Sequence, residues 1–243
     1  RSTQSRSSAA SDVYKRQLAN LPEDEENFSV ATWFKSFISK EIFRIELNGA
    51  AMRRPSPPKG KKGFLPDGSN LPWVIKSLKE KDKSSYEDWL AHVKTALPDV
   101  ADVKTIVRDE DKHCYIKLRY ESGLETPSWL VSDGTLRFLA LTIMAYLPPD
   151  RESIYLIEKP ENGIHPQAIK AVYDSLSSIR NAQVITATHS PIFLAAAAPE
   201  DILCFAKDES GATDVIDGPN HPRLKEWQKK TNLATLFASG VLG

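Results

Sequence analysis

At 243 residues, 41% hydrophobic and 26% charged, the chain has the composition of a soluble globular protein, long enough for one large domain or two small ones. Its 32 basic and 32 acidic residues leave no net charge, which excludes a global pull toward nucleic acid or anionic membrane and leaves only local patches for such contacts. Cys114 and Cys204 lie far apart in apolar runs without ligand spacing and read as reduced core residues of a cytosolic protein, while no apolar run has the length of a membrane span or the h-region of a secretory signal.

Residues 1–17 are rich in Ser and Arg and nearly free of apolar side chains. That composition suits a disordered tail or a transit peptide. The run Ser7-Ser8-Ala9-Ala10-Ser11-Asp12-Val13-Tyr14-Lys15-Arg16-Gln17 instead looks like a translated sequencing adapter, in which case the native start is missing. Residues 1–20 are therefore set apart as a non-native or disordered tail. Across 28–42, Val30, Trp33, Phe34, Phe37 and Ile38 recur at helical spacing, and Phe43-Arg44-Ile45-Glu46-Leu47 then alternates as a strand does. The Pro- and Gly-bearing stretch 52–70 predicts a loop. Within it, Pro58-Lys59-Gly60-Lys61-Lys62-Gly63 is no phosphate loop, because Phe64 stands where GxxxxGK followed by Ser or Thr requires Lys.

Helices are predicted over 71–80 and 84–97, the second capped by Ser84 or Ser85 and burying Trp89, Leu90, Val93, Ala96 and Leu97. Pro98 stops it. Residues 103–107 and 114–120 alternate on either side of the acidic turn Asp109-Glu110-Asp111, which predicts a half-exposed antiparallel hairpin. Glu121-Ser122-Gly123 turns the chain into a short extended segment through Trp129. Beyond it, helix and strand patterns alternate. Ser132-Asp133-Gly134 caps a helix with Leu136, Leu139, Ala140, Ile143 and Met144 on its apolar face. The run Ile154-Tyr155-Leu156-Ile157 predicts a buried, parallel strand that ends at Glu158 before a Pro/Asn/Gly turn. Pro166 opens a helix burying Ile169, Val172, Leu176 and Ile179. A second buried strand spans 183–188 and ends at His189. A short helix over 192–198 and a third strand over 202–206 follow, and 224–242 is expected to be helical. Strands separated by helices predict an α/β fold with a largely parallel sheet.

Three features fall at strand ends or a helix start. Glu158 lies where open α/β sheets place ligands or metals, although an exposed acid there is also common. Ser132 and Gly134 offer free N–H groups and a helix dipole to an anion, or form a plain N-cap. His189 either meets a ligand or simply precedes a helix. His92, His113 and His221 lack ligand spacing and read as surface or packing residues, and Glu161 as a solvated or interface acid.

Together these motifs resemble the ABC-type branch of P-loop ATPases, and more narrowly the bacterial AAA-type ATPases found beside OLD-like and other DNA-repair or phage-defence proteins. Val131-Ser132-Asp133-Gly134-Thr135-Leu136-Arg137 is similar to the signature motif, 156–166 to the Walker B strand and D-loop, and Ala187-Thr188-His189-Ser190-Pro191 to the switch-histidine segment. Residues 64–72 and 236–243 also look familiar from that group. The resemblance implies a P-loop NTPase-like α/β fold with an inserted helical and hairpin region, without its phosphate-loop part. It divides the chain into 21–128, the helical and hairpin region, and 129–243, the C-terminal half with the motifs. It implies ATP and Mg²⁺ as cofactors, with Glu158 on the metal and His189 on the γ-phosphate or the attacking water. Ser132, Asp133 and Gly134 would meet the γ-phosphate of a partner subunit, with Asn162 and His165 at the seam of a homodimer. A nuclease or other effector partner, DNA by analogy only, and a cytoplasmic setting without membrane follow from the same resemblance.

Two departures stand out. No Walker A motif occurs in the chain, and truncation would explain this. Lys159 occupies the place of the catalytic acid, where a charged lysine cannot accept a proton and is expected to pair with Glu158. Loss of a general base costs roughly 10²–10⁴-fold in rate, so slow hydrolysis, or nucleotide binding without useful hydrolysis, is expected.

Overall fold

In the computed structural model, which describes residues 28–58, 63–147 and 153–221, the apolar run before Glu158 is the middle strand of a three-stranded parallel sheet. Strand β5 (Ser153–Glu158) lies between β1 (Ile42–Ile45) and β6 (Ala182–Ala187). Register sets Phe43, Tyr155 and Val184, then Ile45, Ile157 and Thr186, across one face. That face meets the core, in which Ile45 and Ile157 are buried. The alternate side chains, Arg44, Leu156 and Ile185, share the opposite face, because successive strand residues point to opposite sides.

The core is built by helix α5 (Asp133–Ile143), whose Leu136, Phe138, Leu139, Leu141 and Ile143 are buried, and by α6 (Pro166–Ser177), which buries Ile169, Val172 and Leu176. Helix α6 is the crossover between β5 and β6. Preceding β1 is α1 (Ser29–Lys40), and after it come α2 (Gly49–Arg53), α3 (Leu71–Lys81) and α4 (Lys83–Ala96). The last two cover an antiparallel sheet of β2 (Val100–Val107), β3 (Cys114–Tyr120) and β4 (Glu125–Pro127). Trp89 of α4 is fully buried and its Nε1 donates to Thr142 Oγ1 at 3.1 Å, so the indole N–H keeps a partner inside the core. Asn70 is also buried. Its side chain accepts from Leu65 N and donates to Gly63 O, which folds the 63–70 loop back on itself.

The hairpin, the α3 and α4 helices and the N1 position of Pro166 agree with the sequence patterns. Several expectations need correction. Helix α4 is capped by Asp82, whose Oδ1 accepts from Ser85 N at 3.0 Å, rather than by Ser84 or Ser85. Met52 lies in the short helix α2, and Trp129 in a 3-10 turn. Helix α7 (Pro191–Leu194) is shorter than 192–198, and Ile179 lies past the end of α6.

Strands β5 and β6 are half-buried, and Ile185 is exposed. Helix α1 likewise buries none of its apolar side chains, although Trp33 and Phe37 stack at 5.5 Å. The third strand, β7 (Leu203–Lys207), does not join the parallel sheet. It pairs antiparallel with β8 (Thr213–Asp217). Asp208 Oδ1 accepts from Ser210 N and Ala212 N, and Gly211 takes φ +82°, so a tight local turn closes a hairpin with no need of a crossover. Cys114 and Cys204 are buried and free. The tail over 1–20 and the helix expected over 224–242 lie outside the described residues.

Candidate functional site

The first cluster sits where α5 begins. Ser132 is its N-cap: Oγ accepts from Thr135 N at 3.1 Å and shares a hydrogen bond with Thr135 Oγ1 at 2.7 Å. Asp133 is not aimed at an incoming anion. Its Oδ2 accepts from Arg137 Nε at 2.7 Å, and Arg137 Nη2 in turn donates to Leu47 O. The approach to the helix is fixed by Arg53, whose Nε donates to Val131 O and whose carbonyl accepts from Ser128 Oγ. Gly134 packs against the turn after β5 so closely that a Cβ there would lie 2.0 Å from Gly163 O. Only glycine permits that backbone approach. Gly163 itself takes φ +72°.

This contact builds an open pocket of about 380 Å³ whose lining includes Ser132, Gly134, Thr135, Gly163 and His165. Its wall carries the first N–H groups of an 11-residue helix, where partial positive charge collects. His165 also caps α6, accepting from Gln167 N through Nδ1 at 3.3 Å. Asn162 is exposed on the same turn.

A second cluster occupies the carboxyl ends of β5 and β6. The Glu158 side chain is 64% exposed, with Arg44 Nη2 at 4.0 Å, while Arg44 lies closer, at 2.6 Å, to Glu46. The expected pairing of Glu158 with Lys159 does not occur among the described residues. Lys159 has φ +48°, a left-handed conformation in which an alternating strand cannot continue, and its N–H donates to Ala187 O at 2.7 Å. Arg44, on the neighbouring strand and the same face, is the cation beside Glu158 instead. His189 is exposed just past β6, and Ser190 caps α7 through Phe193 N.

Of the residues singled out from sequence, the pocket joins Ser132, Gly134 and His165. Its lining includes neither Glu158 nor His189, which share the mouth of adjacent parallel strands. Mg²⁺ retains several waters and needs only one or two carboxylates beside phosphate oxygens. The exposed Glu158 oxygens suit that role, and no group of three His, Cys, Asp or Glu is gathered for a full protein cage among the described residues.

One functional candidate was missed. Glu161 is not a solvated acid: Oε1 accepts from Thr188 Oγ1 at 2.8 Å, and Oε2 is buried with no protein partner among the described residues. The proline before it, which turns the chain back toward β6, was the one available signal. His92 packs in the interior, its Nε2 near Ser175 Oγ and Ala171 O.

Residues 1–195 match the family described as "AAA domain, putative AbiEii toxin, Type IV TA system". No curated protein matches. A solved structure from work on ATP-driven dimerization and DNA-stimulated activation of SMC ATPases is 16% identical at a TM-score of 0.44, over 65% of this chain and 99% of that one. The Smc head domain with coiled coil and joint from Pyrococcus yayanosii is 17% identical at 0.38, over 67% of this chain and 34% of that one. The Smc head domain of Pyrococcus furiosus, bound to the C-terminal domain of ScpA, is 17% identical at 0.44, over 68% and 44%. Likeness at these levels carries no functional weight.

Proposed function

The chain belongs to this AAA-domain family, and from that premise we propose that it is a P-loop NTPase of the ABC/SMC-like branch that supplies the signature and Walker B half of a dimerising, Mg²⁺-dependent ATPase. Glu158 would hold the cation at the mouth of β5. His189 would contact the γ-phosphate or the attacking water from the mouth of β6. Ser132 and Gly134 would receive the γ-phosphate of nucleotide held by a second copy, with Asn162 and His165 at the seam. Asp133 serves that site indirectly, as the acid that ties Arg137 and the start of α5 to Leu47. Bound Mg²⁺ would offset the negative charge that gathers on the phosphates.

One observation supports this reading above the others. The pocket at the start of α5 includes neither Glu158 nor His189, which lie at the mouth of β5 and β6. A site assembled from two copies would bring the pocket of one to the strand mouth of the other. The domain division at 128/129 is part of the same proposal, with β1 contributing to the motif-bearing sheet from the earlier part. So are a cytoplasmic setting and a nuclease or other effector partner in repair or phage defence. The family's description names a toxin–antitoxin system, which favours defence. DNA remains an analogy.

A second reading, a nucleotide-binding regulatory or scaffold subunit without useful hydrolysis, is favoured by Lys159. This residue is exposed, left-handed and unpaired with Glu158. The Lys159→Glu variant, in a chain that also carries a phosphate-loop segment ahead of Phe28, separates the two readings. Hydrolysis that rises assigns the lysine as the block to catalysis, and hydrolysis that stays flat removes the catalytic-acid argument.

A further inference from the structure

The turn after β5 and the end of β6 are tied by the backbone bond from Lys159 N to Ala187 O and, through a side chain, by Glu161. Ser190 N donates to Thr188 Oγ1 at 3.0 Å, and Thr188 Oγ1 donates to Glu161 Oε1 at 2.8 Å. The turn holding Glu161 is closed by Asn162 N on Lys159 O at 3.0 Å and by Ile164 N on Glu161 O at 3.1 Å. Its next residue but one, Gly163, places its carbonyl under Gly134 at the start of α5. A continuous path of packed backbone and hydrogen bonds thus runs from the pocket to His189.

Glu161 is the side-chain link in this path. A surface glutamate would turn its carboxylate to water. This one points inward, and its Oε2 is buried without a donor among the described residues. Buried acceptors are rarely left so, and among the described residues the Thr188 hydroxyl is the one hydrogen bond to the carboxylate.

We infer that Glu161 is a positioning residue. Its carboxylate clamps the end of β6, and with it His189, to the turn that supports Gly134, so the two surfaces of the proposed composite site move as one unit. This rests on the reading of those surfaces as ends of one site, but the clamp itself exists in the free chain. Displacing the start of α5 displaces the 160–163 turn, and the Glu161–Thr188 bond carries that displacement on toward His189, beside the backbone bond from Lys159 N to Ala187 O.

The test uses the free chain and two measurements. Amide hydrogen exchange is compared in wild type, Thr188→Val, Thr188→Ser and Glu161→Ala. Thr188→Val should speed exchange at Asn162 and Ile164, and Glu161→Ala at Ser190, by about ten-fold, the worth of one charge-assisted hydrogen bond. Thr188→Ser should restore protection. The His189 ring resonance is then followed by NMR on introducing Gly134→Ala. It should move in wild type and in Thr188→Ser, and move clearly less in Thr188→Val and Glu161→Ala. If Gly134→Ala does not fold, the exchange measurement decides alone.

Exchange confined to the mutated residue's own contacts, or a His189 response undiminished in Thr188→Val, would overturn the inference. Neither measurement needs nucleotide. A working clamp in a chain that, given a phosphate-loop segment ahead of Phe28 and Lys159→Glu, still never hydrolyses ATP would refute the ATPase reading alone.

Discussion

Replacing Gly134 with alanine tests the contact that joins the helix start to the turn. The new Cβ would sit 2.0 Å from Gly163 O and 3.1 Å from its carbonyl carbon. Ordinary contact begins near 3.4 Å, so helix and turn must part by about 1.4 Å, and both partners are backbone that no rotamer change can move aside. Overpacking of this kind costs about 1–3 kcal/mol. Alanine's better helix propensity returns at most about 1 kcal/mol. Because both partners are backbone, the overpacking cost lies at the upper end of its range, about 3 kcal/mol, and the steric effect wins by about 2 kcal/mol. For a chain of this size that lowers Tm by roughly 4–8 °C.

The control is Gly123→Ala, which has φ +85° but nothing within 4 Å, and so incurs only the left-handed penalty of about 1 kcal/mol. Calorimetry and urea titration of the three proteins provide the comparison. A Gly134→Ala protein as stable as wild type, or more stable than Gly123→Ala, would refute the packing of α5 on the turn.

Two further outcomes are expected. Lys104 and Lys117 donate to Glu125 and lower its carboxyl from 4.5 to about 2. A carboxyl whose folded value is depressed stabilises the fold above its unfolded value, so this contribution is complete above about pH 4.5 and vanishes as pH falls toward 2. The urea midpoint of Glu125→Gln should therefore lie below that of wild type at pH 6, converge with it near pH 2, and approach it in high salt. A gap independent of pH would contradict the ion pairs. Burial pushes the Cys114 thiol up to about 11 and raises Cys204 as well. Native protein at pH 8 should then resist iodoacetamide until unfolded, and rapid labelling by mass spectrometry would contradict the buried thiols.

The elements legible in the sequence were those whose signal is local. Period-two alternation in β2 and β3, the Ser132 cap and Pro166 at N1 all depend on near neighbours, and all are formed. What went unread depends on distant partners or on competing local turns. An apolar run such as 154–157 cannot say whether both faces of its sheet are covered, and here Ile157 alone is buried. The alternation of helix and strand suggested β7 as a third parallel strand, but the Asp208–Gly211 turn offered it a nearer partner. At the site, motif spacing picked out Glu158, His189, Ser132 and Gly134. The Asp133–Arg137 pair, four residues apart on one helix, was within its reach, but it could not show that Arg44 reaches Glu158 from another strand or that Glu161 turns inward to Thr188. Each is a contact across at least one turn of fold.

The central claim is that the mouth of β5 is a hydrolytic site held back by its lysine. Phosphate release should be measured for Lys159→Glu in a chain carrying a phosphate-loop segment ahead of Phe28, beside the Lys159 parent and the Lys159→Glu/Glu158→Gln double variant. The account predicts a rise of about 10²-fold or more on restoring the acid, lost again when Glu158 is replaced. Equal rates in parent and Lys159→Glu, or a double variant as fast as the single, would contradict it.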